Sequence, residues 1–149
     1  VPGYEAPVYI GWAQINRSAL IRIPNYTAGR EKSVRAELRF PDPSSNPYLA
    51  FTVMLAAALD GIDNQLPCPP PLNNLNVYML SEQERIEQNI AALPGSLAES
   101  LRELEADPVL REALGPEVFE TFRRAKWAEI DDYRMRVTDW ELDRYLELA

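Results

Sequence analysis

Arg17, Arg22, Arg35 and Arg39, with Glu37 among them, have the residue types and spacing to hold a multiply charged anion and a cation. In the stretch Ser33-Val34-Arg35-Ala36-Glu37-Leu38-Arg39-Phe40 the charged residues alternate with apolar ones. As a strand, that period of two places Arg35, Glu37 and Arg39 on one face and Val34, Ala36, Leu38 and Phe40 on the other. The apolar face can join a core. The charged face offers a carboxylate between two guanidiniums, the group best suited to bidentate contact with carboxylate or phosphate. Such alternation is also what the solvated face of an antiparallel sheet shows, so further signals must decide.

Charge distribution supplies one. The 149-residue chain carries a net charge of −8, which argues against general nucleic-acid or anionic-membrane binding. Within residues 1–40, however, Arg17, Arg22, Arg30, Lys32, Arg35 and Arg39 face only Glu5, Glu31 and Glu37. A positive island in an acidic chain marks a local anion site. Histidine is absent, so this chain alone builds no imidazole triad, acid–base pair or zinc site. A single cysteine, Cys68, excludes an internal disulfide and reads as an inert thiol, in keeping with a cytoplasmic location. No targeting pattern is read, and the longest apolar run, 48–59, is too short to span a bilayer.

The elements that must position these residues are few strands followed by helices. The opening, Val1-Pro2-Gly3-Tyr4-Glu5-Ala6-Pro7, reads as a loop; it lacks an initiator Met, which points to a trimmed or excised start. Strands are expected over 8–12, 16–23 and 33–40. The prolines of 41–47 end the sheet, and Asn46-Pro47 starts a helix over 47–60 that Gly61 stops. That helix is apolar nearly all round and should be buried. Pro67-Cys68-Pro69-Pro70-Pro71 is a stiff connector. Ser81/Glu84, Ser96/Glu99 and Thr138/Glu141 have capping-box spacing, while Asp107-Pro108 and Gly115-Pro116 separate further helices. Phe119, Phe122, Ile130, Tyr133 and Val137 form a core stripe on the long helix, and a final helix covers 139–148. The expected class is α+β, with a few antiparallel strands and a helical C-terminal half. Three strands make a poor sheet without further pairing, so the chain reads as part of something larger.

Several motifs in register carry a resemblance. Val1-Pro2-Gly3-Tyr4-Glu5-Ala6-Pro7, Asn16-Arg17-Ser18-Ala19, Ile21-Arg22-Ile23-Pro24, Glu37-Leu38-Arg39-Phe40-Pro41-Asp42-Pro43 and Asn46-Pro47-Tyr48-Leu49 closely resemble type I glutamine synthetase. The likeness covers about the last third of such an enzyme, running from residue 1 to the end. It implies that residues 1–149 are the C-terminal portion of a catalytic domain, with flap loop and active-site strands in 1–43 and mainly helix in 44–149. It further implies an ATP-dependent ligase that phosphorylates the side-chain carboxylate of glutamate and lets ammonia displace the phosphate.

The resemblance also implies roles. Glu37 is similar to a ligand of the Mg²⁺ or Mn²⁺ ion that binds the nucleotide phosphates. Arg17 and Arg22 resemble catalytic arginines facing the transferred phosphoryl group, with Arg17 also near substrate and Arg22 near nucleotide. Arg35 resembles a nucleotide contact, and Arg39 the arginine that holds a glutamate carboxylate. Glu5 resembles the flap glutamate that closes over glutamate and excludes water from the acyl phosphate. Arg17 and Arg22 are an odd number apart, so a bend or bulge must bring both to one site. Tyr78 holds the position that some relatives modify with AMP, but in Asn76-Val77-Tyr78-Met79-Leu80 it reads as a packing or loop residue. The family implies a cytoplasmic homo-oligomer, a ring-stacked dodecamer, with Trp140, Tyr145 and Leu146 as candidate subunit contacts. Its other metal ligands and ammonium pocket come from upstream sequence, so these residues alone are expected to be inactive. Two alternatives remain at this point: a γ-glutamyl ligase for polyamines or ethanolamine, and a catalytically silent structural or regulatory relative.

Overall fold

A computed structural model describes residues 7–16 and 19–146. The chain divides into two compact units, Val1–Gly95 and Ser96–Ala149.

The first unit holds a three-stranded sheet in the order β1 (Trp12–Ala13), β2 (Ile21–Arg22), β3 (Glu37–Leu38). β2 and β3 pair antiparallel, with Ile21 opposite Leu38 and Arg22 opposite Glu37. β1 and β2 run parallel, where antiparallel pairing was expected. Parallel pairs ordinarily need a crossover of a dozen or more residues. Here each strand has only two residues.

The strands are shorter than the alternation suggested, because other partners take their backbone groups. Ile10 N–H donates to Ala91 and Leu93 N–H to Val8, so residues 8–10 pair with 91–93. Leu72 N–H donates to Trp12, and the Trp12 indole N–H to Pro69 at 2.7 Å. The segment through β1 is thus held on both sides. At Gly11 a Cβ would overlap the end of the Leu72 side chain, which would have to shift. Residues 31–33, expected to lead into or open the third strand, form a 3-10 turn instead. Val34 and Ala36 are exposed, and Leu38 and Phe40 about two-fifths so, which leaves the expected apolar face incompletely covered. Among the described residues, Ala13, Ala19, Leu20, Val77 and Ile90 are the buried apolar residues of this unit outside the prolines.

Helix α1 (Pro47–Asp63) begins as the sequence predicts, with Asn46 Oδ1 accepting from the N–H groups of Tyr48 and Leu49 and Pro47 in the first turn. It differs in two respects. Gly61 is carried inside the helix, which ends at Asp63, and no residue of α1 is buried. Phe51, Leu55 and Ile62 are each more than three-fifths exposed. An apolar face at every angle requires apolar surface at every angle, more than this small unit has to offer. A 3-10 turn, Val77–Met79, and helix α2 (Glu82–Glu87) follow, the latter opened by the Ser81/Glu84 capping box.

The second unit is helical: α3 (Leu97–Ala106), α4 (Pro108–Leu114), α5 (Pro116–Arg134) and α6 (Asp139–Tyr145). Ala98, Leu101 and Ile130 form its core, with Leu104, Phe122 and Trp127 packed around them. Asp107, Gly115 and the Thr138/Glu141 capping box mark the starts of α4, α5 and α6 as predicted. The stripe on α5 is buried at Phe119 and Ile130, but Tyr133 and Val137 are 70% exposed. α5 ends at Arg134, so the helical repeat stops short of Val137.

Candidate active site

The antiparallel register of β2 and β3 sets Arg22 directly across from Glu37. Opposed residues share a face, so their side chains meet. Arg22 Nη2 donates to Glu37 Oε1 at 3.3 Å, and its Nε lies 2.9 Å from Oε2, an ion pair without a well-directed hydrogen bond. Arg35 reaches the same carboxylate from two residues upstream, as the period of two requires. Its Nε donates to Oε1 at 3.0 Å, its Nη2 stands 2.6 Å from that oxygen, and its Nη1 donates to the Ser33 carbonyl at 3.1 Å. About a quarter of the Arg22 and Glu37 side chains is exposed, against half of Arg35. The result is one carboxylate gripped by two guanidiniums at the rim of the sheet.

Arg39 follows β3, and its N–H donates to the Leu20 carbonyl at 3.0 Å. Its Nη1 is buried and has no hydrogen-bond partner among the described residues. A buried, unsatisfied charged donor is costly, and an incoming anion would satisfy it. Glu5 and Arg17, the remaining sequence candidates, lie outside the described residues.

Glu37 offers the hard oxygen that Mg²⁺ or Mn²⁺ prefers. It is one donor, and no group of three or more His, Cys, Asp or Glu side chains able to hold a metal exists among the described residues. Among the described residues Glu37 is thus a single candidate donor, and Arg22 and Arg35 already engage its two oxygens.

Two groups at the site were not legible from residue type. The Ser33 carbonyl is a backbone acceptor and carries no sequence signal. The Glu31 carboxylate accepts from the Tyr26 hydroxyl at 2.9 Å and the Gly29 N–H at 3.2 Å, pinning the loop between β2 and β3. Its own backbone N–H, then Tyr26 and Gly29, hold its carboxyl below the usual carboxylate range. Tyr78, half-buried, packs edge-to-face on Tyr9 at 5.4 Å, and Arg85 stacks on the same Tyr9 ring at 4.8 Å. Cys68 is exposed. No helix is long and apolar enough to cross a membrane among the described residues.

Residues 1–145 match the family model described as glutamine synthetase, catalytic domain. The chain is 55% identical over 145 residues to the glutamine synthetase of Thermus thermophilus, covering 97% of this chain and 32% of that one. It is 51% identical over 146 residues to that of Methanocaldococcus jannaschii, covering 98% and 31%. The cryo-EM structure of Plasmodium falciparum glutamine synthetase, at 22% identity, shares the fold with a TM-score of 0.77 over 97% of this chain and 35% of that chain. The chain belongs to the glutamine synthetase catalytic-domain family. It spans about a third of the length of the curated relatives it matches.

Proposed function

We propose that residues 1–149 are the C-terminal portion of the catalytic domain of an ATP-dependent glutamate–ammonia ligase, and supply the arginine-rich half of its site. The observation that carries this reading is the Arg22–Glu37–Arg35 grip, together with a buried Arg39 Nη1 that lacks a partner among the described residues. In the reaction an oxygen of the glutamate side-chain carboxylate attacks the γ-phosphorus of ATP, and ADP leaves. Ammonia then attacks the acyl carbon, phosphate departs, and the nitrogen loses a proton.

Phosphoryl transfer asks a protein chiefly for positioning and charge neutralisation, which guanidiniums provide. Arg39 holds a glutamate carboxylate through its free donor. Arg22 and Arg17 act on the transferred phosphoryl group, and Arg35 contacts nucleotide. Glu37 supplies one oxygen ligand to Mg²⁺ or Mn²⁺, which when bound neutralises phosphate charge. Glu5 closes over the substrate and keeps water from the acyl phosphate. The exposed apolar faces of α1 are the surface that the rest of such a protein would cover. The working form is a soluble cytoplasmic homo-oligomer, a ring-stacked dodecamer, with Trp140, Tyr145 and Leu146 at a subunit contact.

The test is the full-length protein with glutamate, ATP, magnesium and a panel of amines. Glutamine should form from ammonia with release of phosphate, while polyamines and ethanolamine stay unreacted. Glu37→Ala should abolish metal-dependent ATP binding. Turnover of a larger amine instead would replace the acceptor, and ATP binding unchanged by Glu37→Ala would remove Glu37 from the metal site. The 149-residue chain by itself should be inactive.

A further inference from the structure

The loop between β2 and β3 joins Arg22 to Arg35 and has its own fixed architecture. Gly29 turns the chain with φ of +82°, a conformation that side chains other than glycine rarely adopt. Arg30 N–H donates to Thr27, and Ser33 donates to the Arg30 carbonyl through its N–H at 2.9 Å and its hydroxyl at 2.7 Å. Val34 N–H closes on the Glu31 carbonyl. Across the loop, Glu31 Oε1 takes the Tyr26 hydroxyl and the Gly29 N–H. The far end of this chain of bonds is the Ser33 carbonyl, which accepts from Arg35 Nη1.

Arg35 has two anchors. One is Glu37, whose carboxylate is shared with Arg22. The other is Ser33, whose position is set by the 3-10 turn that Glu31 opens. Arg35 is half exposed, and a long exposed side chain loses rotamer entropy on binding unless something already holds it. A guanidinium fixed at two points is pre-organised for an anion; fixed at one it is less so.

We propose that Glu31, clasped by Tyr26, is a positioning residue that sets Arg35 for nucleotide through the Ser33 carbonyl. The inference rests on the proposed contact of Arg35 with nucleotide. It adds that ATP affinity depends on a carboxylate that does not touch the ligand.

Isothermal titration calorimetry of magnesium-ATP into the full-length protein tests it, with Glu31→Ala, Glu31→Gln, Tyr26→Phe, Arg35→Ala and the Glu31→Ala/Arg35→Ala pair. Glu31→Ala should weaken ATP binding about five- to tenfold, the size of one ordinary net hydrogen bond. Tyr26→Phe should weaken it by less, and Glu31→Gln, which keeps an acceptor oxygen, should retain most of the affinity. Glutamate KM and melting temperature should stay at the wild-type values. In the Arg35→Ala background the Glu31→Ala effect should vanish, since the two act as one unit.

Wild-type affinity in Glu31→Ala beside a loss in Arg35→Ala would overturn the inference and leave the role of Arg35 standing. Wild-type affinity in Arg35→Ala would overturn that role and the inference with it. Additive losses in the double variant, or equal losses of ATP and glutamate affinity with a lower melting temperature, would reduce Glu31 to a structural residue and overturn the positioning role.

Discussion

Replacing Arg39 by alanine in the full-length protein should act on glutamate and leave nucleotide alone. The Arg39 backbone is fixed by its N–H bond to Leu20, so the truncation removes only the guanidinium arm. That arm carries a buried donor, Nη1, without a partner among the described residues. A hydrogen bond between charged groups contributes about 1.5–3 kcal/mol, so losing it should raise KM for glutamate roughly 10- to 150-fold. KM for ATP should move by less than about twofold, because Arg22, Arg35 and Glu37 keep their mutual contacts. Arg39→Lys keeps a charge without the planar fork and should fall between. The unliganded variant should be as stable as the wild type or slightly more so, since deleting an unsatisfied donor removes a cost. Saturating glutamate should then raise the melting temperature of the wild type and not of the variant. Steady-state kinetics and a thermal melt with and without glutamate read all of this. Unchanged glutamate KM, or equal rises in both KM values with a lower melting temperature, would refute the reasoning.

Three further outcomes are expected. Leu101→Ala opens a cavity among Ala98, Ile130, Leu104, Phe122 and Trp127, and should cost about 2–5 kcal/mol in denaturant unfolding, with lost amide protection centred on α3 and α5. The Ser81 hydroxyl and then its N–H depress the carboxyl of Glu84 below its ordinary value of 4.5. Because the folded pKa is the lower one, this cap stabilises α2 above that value and is lost as pH falls through the folded pKa; Glu84→Gln should flatten the acid-side rise in amide exchange at the start of α2. Gly11→Ala drives a methyl into Leu72 and should destabilise by about 1–3 kcal/mol, measured by thermal melt; neutrality would mean that Leu72 moves aside freely.

How much of this was legible in the sequence follows from what each signal depends on. Helix starts depend on a few adjacent residues, and Asn46-Pro47, Ser81/Glu84, Asp107-Pro108 and Thr138/Glu141 all open helices. Side-chain alternation depends only on extended backbone, so Arg35 and Glu37 share a face and touch. Strand length and direction depend on distant partners. Residues 8–10 pair with 91–93, and β1 is bonded to residue 72, contacts spanning more than fifty residues that no local pattern encodes. The turn at 31–33 was missed for a different reason. It is closed by Ser33 on the Arg30 carbonyl and Val34 N–H on the Glu31 carbonyl, bonds that residue type does not announce, while Val34 and Leu38 invite a strand reading.

The burial expected of α1 failed for a reason that bears on the site. Its composition asks for apolar neighbours on every side, and residues such as Phe51, Leu55 and Ile62 stay more than three-fifths exposed. The same holds for Leu38 and Phe40, which flank Glu37 and Arg39 yet are about two-fifths exposed. The apolar residues around β3 and the surface of α1 are thus incompletely covered together, while Arg22, Arg35 and Glu37 are already in contact. Arginine–carboxylate pairing across β2 and β3 needs only local register, so the ionic half of the site forms within one short sheet. Covering the apolar faces should therefore strengthen these contacts without creating them, because excluding water lowers the dielectric around charges already in place.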